Sequence, residues 1–193
     1  MYTIDNNSIY ELIIKNSRFI TLLYKIKTIK EIDKYLNETK KNYPDATHYC
    51  YAYIIDNFKK VSDDGEPGGT AGIPILKVLE NNNLTNVLVV VVRYFGGIKL
   101  GANGLIRAYT KCSANAIKEV NLLTLIDGLN IDITFDYSKV KEIDYLLKNI
   151  TINNKTFDKE ITYNINIEKS FLEIIKNNHI KYNIIKYIKI EKK

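Results

Sequence analysis

Apolar and polar positions divide the 193-residue chain into two halves of different texture. In the first half, YELIIK and SRFITLLYKIK read as strands joined by a short turn at Asn16–Ser17. The period then lengthens. In TIKEIDKYLNETKKNYP, Ile29, Ile32 and Leu36 recur at helical spacing, Thr28 and Glu31 form a capping box, and Pro44 closes the segment. THYCYAYIID is rich in β-branched and aromatic residues and predicts a strand. An acidic, glycine-rich stretch interrupts the pattern at SDDGEPGGTAGIP, residues 62–74, before the apolar helical run IPILKVLENNN. LTNVLVVVVRYF is apolar almost without break, which suits a strand covered on both faces, and it ends at Gly96–Gly97. GANGLIRAYTKCSANAIKEV predicts a helix with Leu105, Tyr109, Cys112, Ala116 and Val120 on one face and Arg107 and Lys111 elsewhere.

The second half starts near Leu122–Gly128. LNIDITFD alternates, predicting a strand with one wet face. Ser138 is placed to cap a helix over KVKEIDYLLKNI, and TINNKTFDKEITYNINIE reads as two strands. Ser170 and Glu173 form a second capping box ahead of FLEIIKNN, and KYNIIKYIKIE is a final strand. The order βαββαβ is the split βαβ, ferredoxin-like pattern. Ile131, Ile133, Phe135, Ile143, Leu147 and Phe171 can supply its core. The expected fold is therefore α+β, with an α/β domain over residues 1–125 and a ferredoxin-like domain over 126–193.

Composition narrows the class. With 46% apolar and 26% charged residues, the chain can bury a core and is not a disordered polyelectrolyte. No window approaches the roughly 18 uninterrupted apolar residues of a membrane span. MYTIDNNSIY lacks the basic and apolar regions of a signal peptide, so a cytoplasmic location is expected. Cys50 and Cys112 are two distant thiols among apolar neighbours, neither a disulfide framework nor a zinc cluster.

The net charge of +6 is spread evenly: residues 1–127 hold 16 Lys+Arg against 13 Asp+Glu, and residues 128–193 hold 12 against 9. Two local excesses stand out. Residues 91–111 contain Arg93, Lys99, Arg107 and Lys111 with no acid, and residues 181–193 contain five lysines against one glutamate. Such patches permit RNA or ribosome contact, although a solvated lysine tail is the simpler account of the second.

Two glycine-rich stretches hold the candidate chemistry. Asp63, Asp64 and Glu66 offer oxygen ligands for Mg²⁺, while Gly68 and Gly69 open the backbone N–H groups to an anion. A plain turn explains the same residues, since Asp-Gly and Pro-Gly are strong turn dipeptides. The second stretch, RYFGGIKLGANG over 93–104, lies where a buried strand gives way to a helix and combines Arg93 and Lys99 with Gly96, Gly97, Gly101 and Gly104. A helix start rich in free N–H donors suits a phosphate or carboxylate. It is neither a P-loop nor a G-x-G-x-x-G fingerprint. Structural pairing of Arg93 and Lys99 with the acids is the competing reading. Nucleophilic catalysis has little support. His48 and Cys50 sit two apart on one strand, point in parallel and do not converge as a dyad, and His179 lies in the polar segment KNNHIK.

SRFI (17–20), ATHYCYAYII (46–55), SDDGEPGGTAGIPIL (62–76) and VVVVRYFGGIKLGANGLIRAY (89–109) resemble the blocks of the YigZ/IMPACT family, in that family's order and spacing. The remaining half is similar to the C-terminal domain of the bacterial YigZ branch, a ferredoxin-like module similar to domain V of elongation factor G. The resemblance implies a ribosomal protein S5 domain 2-like fold for the first domain and a link to translation. Eukaryotic relatives regulate the response to amino-acid starvation by binding an upstream activator, but they carry a different second domain, so that partner is not carried over. The resemblance favours a paired-loop site. Its members are Asp63, Asp64, Glu66, Gly68, Gly69 and Thr70 on one side and Arg93, Gly96, Gly97, Lys99, Gly101 and Asn103 on the other, with His48 and Arg107 at the edge. The expected role is a non-catalytic, translation-associated protein that binds RNA or the ribosome, with a protein partner in translation control as a further candidate. The alternative is an enzyme or binding protein for a nucleotide or other phosphate-containing ligand, with Mg²⁺ held by the acids.

Overall fold

The structure, a computed structural model, describes residues 1–192. The chain forms two compact units that meet in sequence at Thr124 and Leu125. In the first, five antiparallel strands form a sheet in the order β2-β3-β6-β4-β5, built from Ser8–Ile14, Ser17–Lys25, Val87–Tyr94, His48–Ile55 and Phe58–Ser62. Helices α2 (Gly72–Asn81) and α3 (Ala102–Lys118) cover one face of it, packing Ile75, Leu79, Tyr109, Cys112 and Ala116 against Phe19, Cys50, Ala52, Val89 and Val91. Helix α1 (Ile29–Asn42) covers the other, with Ile32, Tyr35 and Leu36 against Ile20, Leu22, Val90 and Val92. This sandwich explains the unbroken apolar run of β6: Val87 to Val92 have 0% exposure because helices lie on both sides.

Local rules account for the element ends. The β2–β3 turn is Lys15–Asn16, one residue earlier than the expected Asn16–Ser17, with φ of 45° and 65°. Two successive positive φ values make the tight turn whose twist matches the flanking strands. The capping box of α1 forms, with Glu31 Oε2 accepting from the Thr28 N–H at 3.0 Å. Two strands carry no clear pattern in the sequence. Edge strand β5 is the lysine-bearing FKKVS, and β1 (Tyr2–Ile4) pairs with residues Leu122–Thr124, more than a hundred residues away.

The second unit runs β7 (Leu122–Phe135, entering from the first unit), α4 (Val140–Leu146), β8 (Thr151–Phe157), β9 (Ile161–Glu168), α5 (Leu172–Asn177) and β10 (Lys181–Lys192). Its sheet order, β10-β7-β9-β8, is the ferredoxin-like arrangement. Leu129, Ile131, Ile133 and Phe135 alternate inward and meet Ile143, Leu147, Tyr163, Ile165 and Ile175 in one core. The two expected serine caps are not used. Asp136, not Ser138, caps the short turn before α4, accepting from the Ser138 N–H at 2.9 Å. Ser170 lies within a 3₁₀ turn and leaves α5 without a side-chain cap, while Glu173 pairs with Lys176 at 2.9 Å. In both places a 3₁₀ turn moves the helix start past the serine. The polar face of β7 is more enclosed than alternation suggests. Asn130 is only 7% exposed, and its amide donates to Asn164 and Asn166 at 2.8 and 2.7 Å.

Gly72 ties α2 to the sheet edge. A Cβ there would lie 2.9 Å from the Ser62 nitrogen and from Val61 Cβ, contacts that backbone cannot relieve. Gly72→Ala is expected to lower stability by about 1–3 kcal/mol through this overpacking. A urea titration showing an unchanged midpoint would refute it.

Candidate functional site

The acidic stretch begins where β5 ends and α2 has not yet started. Asp63 spans that gap with one carboxylate. Its Oδ2 accepts from the Gly69 N–H at 2.8 Å, and its Oδ1 accepts from Ala71 and Gly72 at 3.0 and 2.8 Å. Ala71 and Gly72 are donors that the start of α2 leaves open, and Gly69 belongs to the turn before it. Burial raises the cost of the charge, yet the three N–H groups outweigh it and hold the Asp63 carboxyl below its ordinary value of 3.8. Asp64 takes a left-handed conformation at φ 42°, and its Oδ2 accepts from the Tyr49 N–H at 2.6 Å. Thr70 donates its hydroxyl to the Pro67 carbonyl at 2.7 Å, closing the turn that carries Gly68 and Gly69.

Glu66 alone points into the protein. Its side chain is 3% exposed, and Oε1 accepts from Arg93 Nη1 at 2.6 Å and from the Tyr109 hydroxyl at 2.7 Å. Register explains the arrangement. His48 on β4 and Phe19 on β3 are the direct cross-strand partners of Arg93 on β6, so all three side chains share the face that α2 and α3 cover. The guanidinium carbon lies 5.4 Å from the Phe19 ring centroid, and Nη2 donates to Ser17 Oγ at 3.4 Å. His48 Nδ1 is 2.8 Å from the Asp64 carbonyl, which makes it the donor, and Nε2 faces Glu66 Oε2 at 3.8 Å. Cys50 donates its thiol to the Asp63 carbonyl at 2.9 Å and lies 3.3 Å from the Tyr109 oxygen. Burial pushes the Cys50 thiol up to about 12 and Cys112 to about 11, and raises Tyr109 far above its usual range, which favours the neutral thiol at both cysteines. Tyr109 reads in the sequence only as a core position. The signal for its second role is chemical: a fully buried tyrosine hydroxyl needs an acceptor.

The three carboxylates therefore serve three separate tasks and do not converge. Among the described residues, no three His, Cys, Asp or Glu side chains are grouped to hold a metal ion. Arg93 is 5% exposed and committed to Glu66, which is the structural pairing weighed in the sequence. The other cations stand apart from the acids. Lys99 and Arg107 are exposed, as are Asn103, Gly97 and Gly101, and neither cation has a hydrogen bond or ion pair among the described residues. Gly97 and Gly101 have φ of 81° and 70°, the conformation that favours glycine, with open space around each. Gly96 is constrained by packing: a Cβ there would fall 2.1 Å from the Asn16 carbonyl carbon, and its N–H donates to Ser17 Oγ at 3.2 Å. The lysine-rich end lies on β10 and is largely paired. Lys181 meets Glu160, Lys189 meets Asp127 and Lys192 meets Glu168, while Lys193 is outside the described residues.

Two outcomes test this assignment. Arg93→Ala leaves the Glu66 carboxylate buried without its cation and is expected to destabilise the protein by about 3–5 kcal/mol. Glu66→Gln combined with Arg93→Met should recover much of that loss, and a double-mutant cycle with no coupling would overturn the pairing. For Asp63, the depressed folded pKa makes its contribution complete above the unfolded value near 3.8 and lost as pH falls through the lower folded value. The stability gap between wild type and Asp63→Asn should hold constant above about pH 5 and narrow below about pH 4. A gap independent of pH in acid titrations would rule out the carboxylate cap.

Residues 15–117 match the family model described as the Impact N-terminal domain, which takes in both glycine-rich loops, Glu66, Arg93 and Tyr109. The chain is 38% identical over 170 residues to the IMPACT family member YvyE of Bacillus subtilis, covering 86% of this chain and 76% of that protein. It is 34% identical over 139 residues to the IMPACT family member YigZ of Escherichia coli, covering 69% and 68%. A crystal structure of a hypothetical protein matches with a TM-score of 0.72 at 25% identity, over 96% of this chain and 97% of that one. Motif, length and fold agree, and the chain belongs to the YigZ/IMPACT family.

Proposed function

We propose that this protein is a translation-associated regulatory protein that binds RNA or the ribosome without catalysing a reaction, and that the loop from Gly97 to Gly101 with the exposed face of α3 is its contact. One observation carries the reading. From Asn81 to Lys118 the chain contains no acid, and within it Lys99, Arg107 and Lys111 are exposed and unpaired among the described residues. Free cations beside two glycines with open space around them and a helix start suit phosphates. The link to translation comes from family membership, and a cytoplasmic setting is proposed with it. A protein partner in translation control fits the same surface. The rival reading, an Mg²⁺-dependent enzyme for a phosphate-containing ligand, draws on Asp63, Asp64 and Glu66, whose oxygens already accept from the backbone, Arg93 and Tyr109.

Co-sedimentation with ribosomal subunits across a salt series tests the reading. Association is expected to weaken with salt. Lys99→Ala/Arg107→Ala is expected to weaken it further and to reduce the salt slope by roughly one per phosphate contact removed. Both residues are exposed, so folding should be unaffected. No pelleting at low salt, or binding indifferent to the double substitution, would remove the loop from the account.

A further inference from the structure

We infer that Phe95 is a stacking platform for an unpaired RNA base, with Lys99 and Arg107 holding the adjoining phosphates. This inference rests on the RNA-binding reading above and narrows it to single strands.

Isolated exposed apolar residues are ordinary, and Phe95 at 46% exposure needs no explanation by that figure alone. Its mounting sets it apart. The Phe95 N–H donates to Thr47 Oγ1 at 3.0 Å, and the next residue, Gly96, is pressed against the Asn16–Ser17 backbone and bonded to Ser17. The ring is therefore carried on backbone fixed to the segment entering β4 and to the β2–β3 turn. Arg93 lies 5.6 Å from the ring centroid, and that cation is already neutralised by Glu66. Arg93 thus occupies one face of the ring and leaves the rest of it to solvent, with a second apolar residue, Ile98, 46% exposed in the same loop.

Charge selects the occupant. Phe95 shares its loop with Lys99, which is exposed and has no hydrogen bond or ion pair among the described residues, and the segment 81–118 that contains both has no acid. An aromatic face next to unpaired cations is the arrangement by which sequence-tolerant proteins hold single-stranded nucleic acid, because every base has a π-face and every nucleotide a phosphate. Duplex RNA keeps its bases stacked on one another and offers the ring no partner.

The test compares three fluorescein-labelled probes by anisotropy at fixed salt: a 12-nucleotide oligouridine, an abasic 12-mer of the same backbone, and a 12-base-pair RNA duplex. The full chain is expected to bind oligouridine more tightly than either of the others. Phe95→Leu, which keeps an apolar side chain but removes the ring, should weaken oligouridine binding about 5- to 100-fold. It should leave abasic binding and the salt slope unchanged. Lys99→Ala/Arg107→Ala should weaken all three probes. If Phe95→Leu binds oligouridine like the wild type, or the duplex and abasic strand bind as tightly as oligouridine, the stacking role is overturned while the phosphate contact stands. If no probe binds yet the protein still pellets with ribosomal subunits, the contact is with protein, and both the stacking role and RNA recognition fall.

Discussion

The ion pair between Glu66 and Arg93 is the constraint around which the first unit is organised. Two unlike charges are held at 2.6 Å with side-chain exposures of 3% and 6%. Isolated, either charge would be expelled from such a place, since the desolvation penalty is several kcal/mol per ion. Together, and with the Tyr109 hydroxyl on the same carboxylate oxygen, they are tolerable. The pair joins the acidic loop to the centre of the sheet and, through Tyr109, to α3. It therefore ties the acidic loop, the sheet and the middle of α3 to one another.

Glycine and acid are divided between two kinds of work. In the acidic loop, positive φ at Asp64, Gly65 and Gly69 bends the backbone until Asp63 can reach three N–H groups at the start of α2. That loop is closed on itself. In the basic stretch, Gly96 is pinned by contact and Gly104 sits close to Leu100, while Gly97 and Gly101 have open space where a side chain would be. The two stretches look alike as strings of small residues. Their environments differ because one is filled by its own carboxylates and the other has none.

Much of the fold was readable because it depends on local periodicity. The six apolar residues of β6, the buried stripe of α3 from Leu105 to Ala116 and the capping box at Thr28–Glu31 all report their own environment. What escaped was non-local or a matter of one residue. Strand β1 exists through pairing with residues at the far end of the unit, and β5 is an edge whose exposed lysines hide its alternation. Ser138 and Ser170 look like caps until a 3₁₀ turn shifts the helix start. At the site, the sequence put Glu66 and Arg93 among the candidates but could not say which acid met which cation. Spacing does not reveal that Asp63 faces backbone, that Glu66 turns inward, or that Arg93 is buried and Lys99 is not. Those outcomes depend on cross-strand register, which places His48, Arg93 and Phe19 side by side.

The burial of Arg93 also limits how this surface binds. Were Arg93 free, the stretch 91–111 would offer four cations to a polyanion; with Glu66 beside it, three remain. Three phosphate contacts to a single strand correspond to a salt slope of about −2, so raising salt fourfold weakens binding by roughly 20-fold. That is far less than proteins relying on six to ten such contacts lose. Electrostatics of this size steers an encounter and orients it, but yields weak affinity alone. A useful complex then requires a contribution that salt does not screen. Exposed apolar surface in the same loop, at Phe95 and Ile98, is where the first unit can provide it.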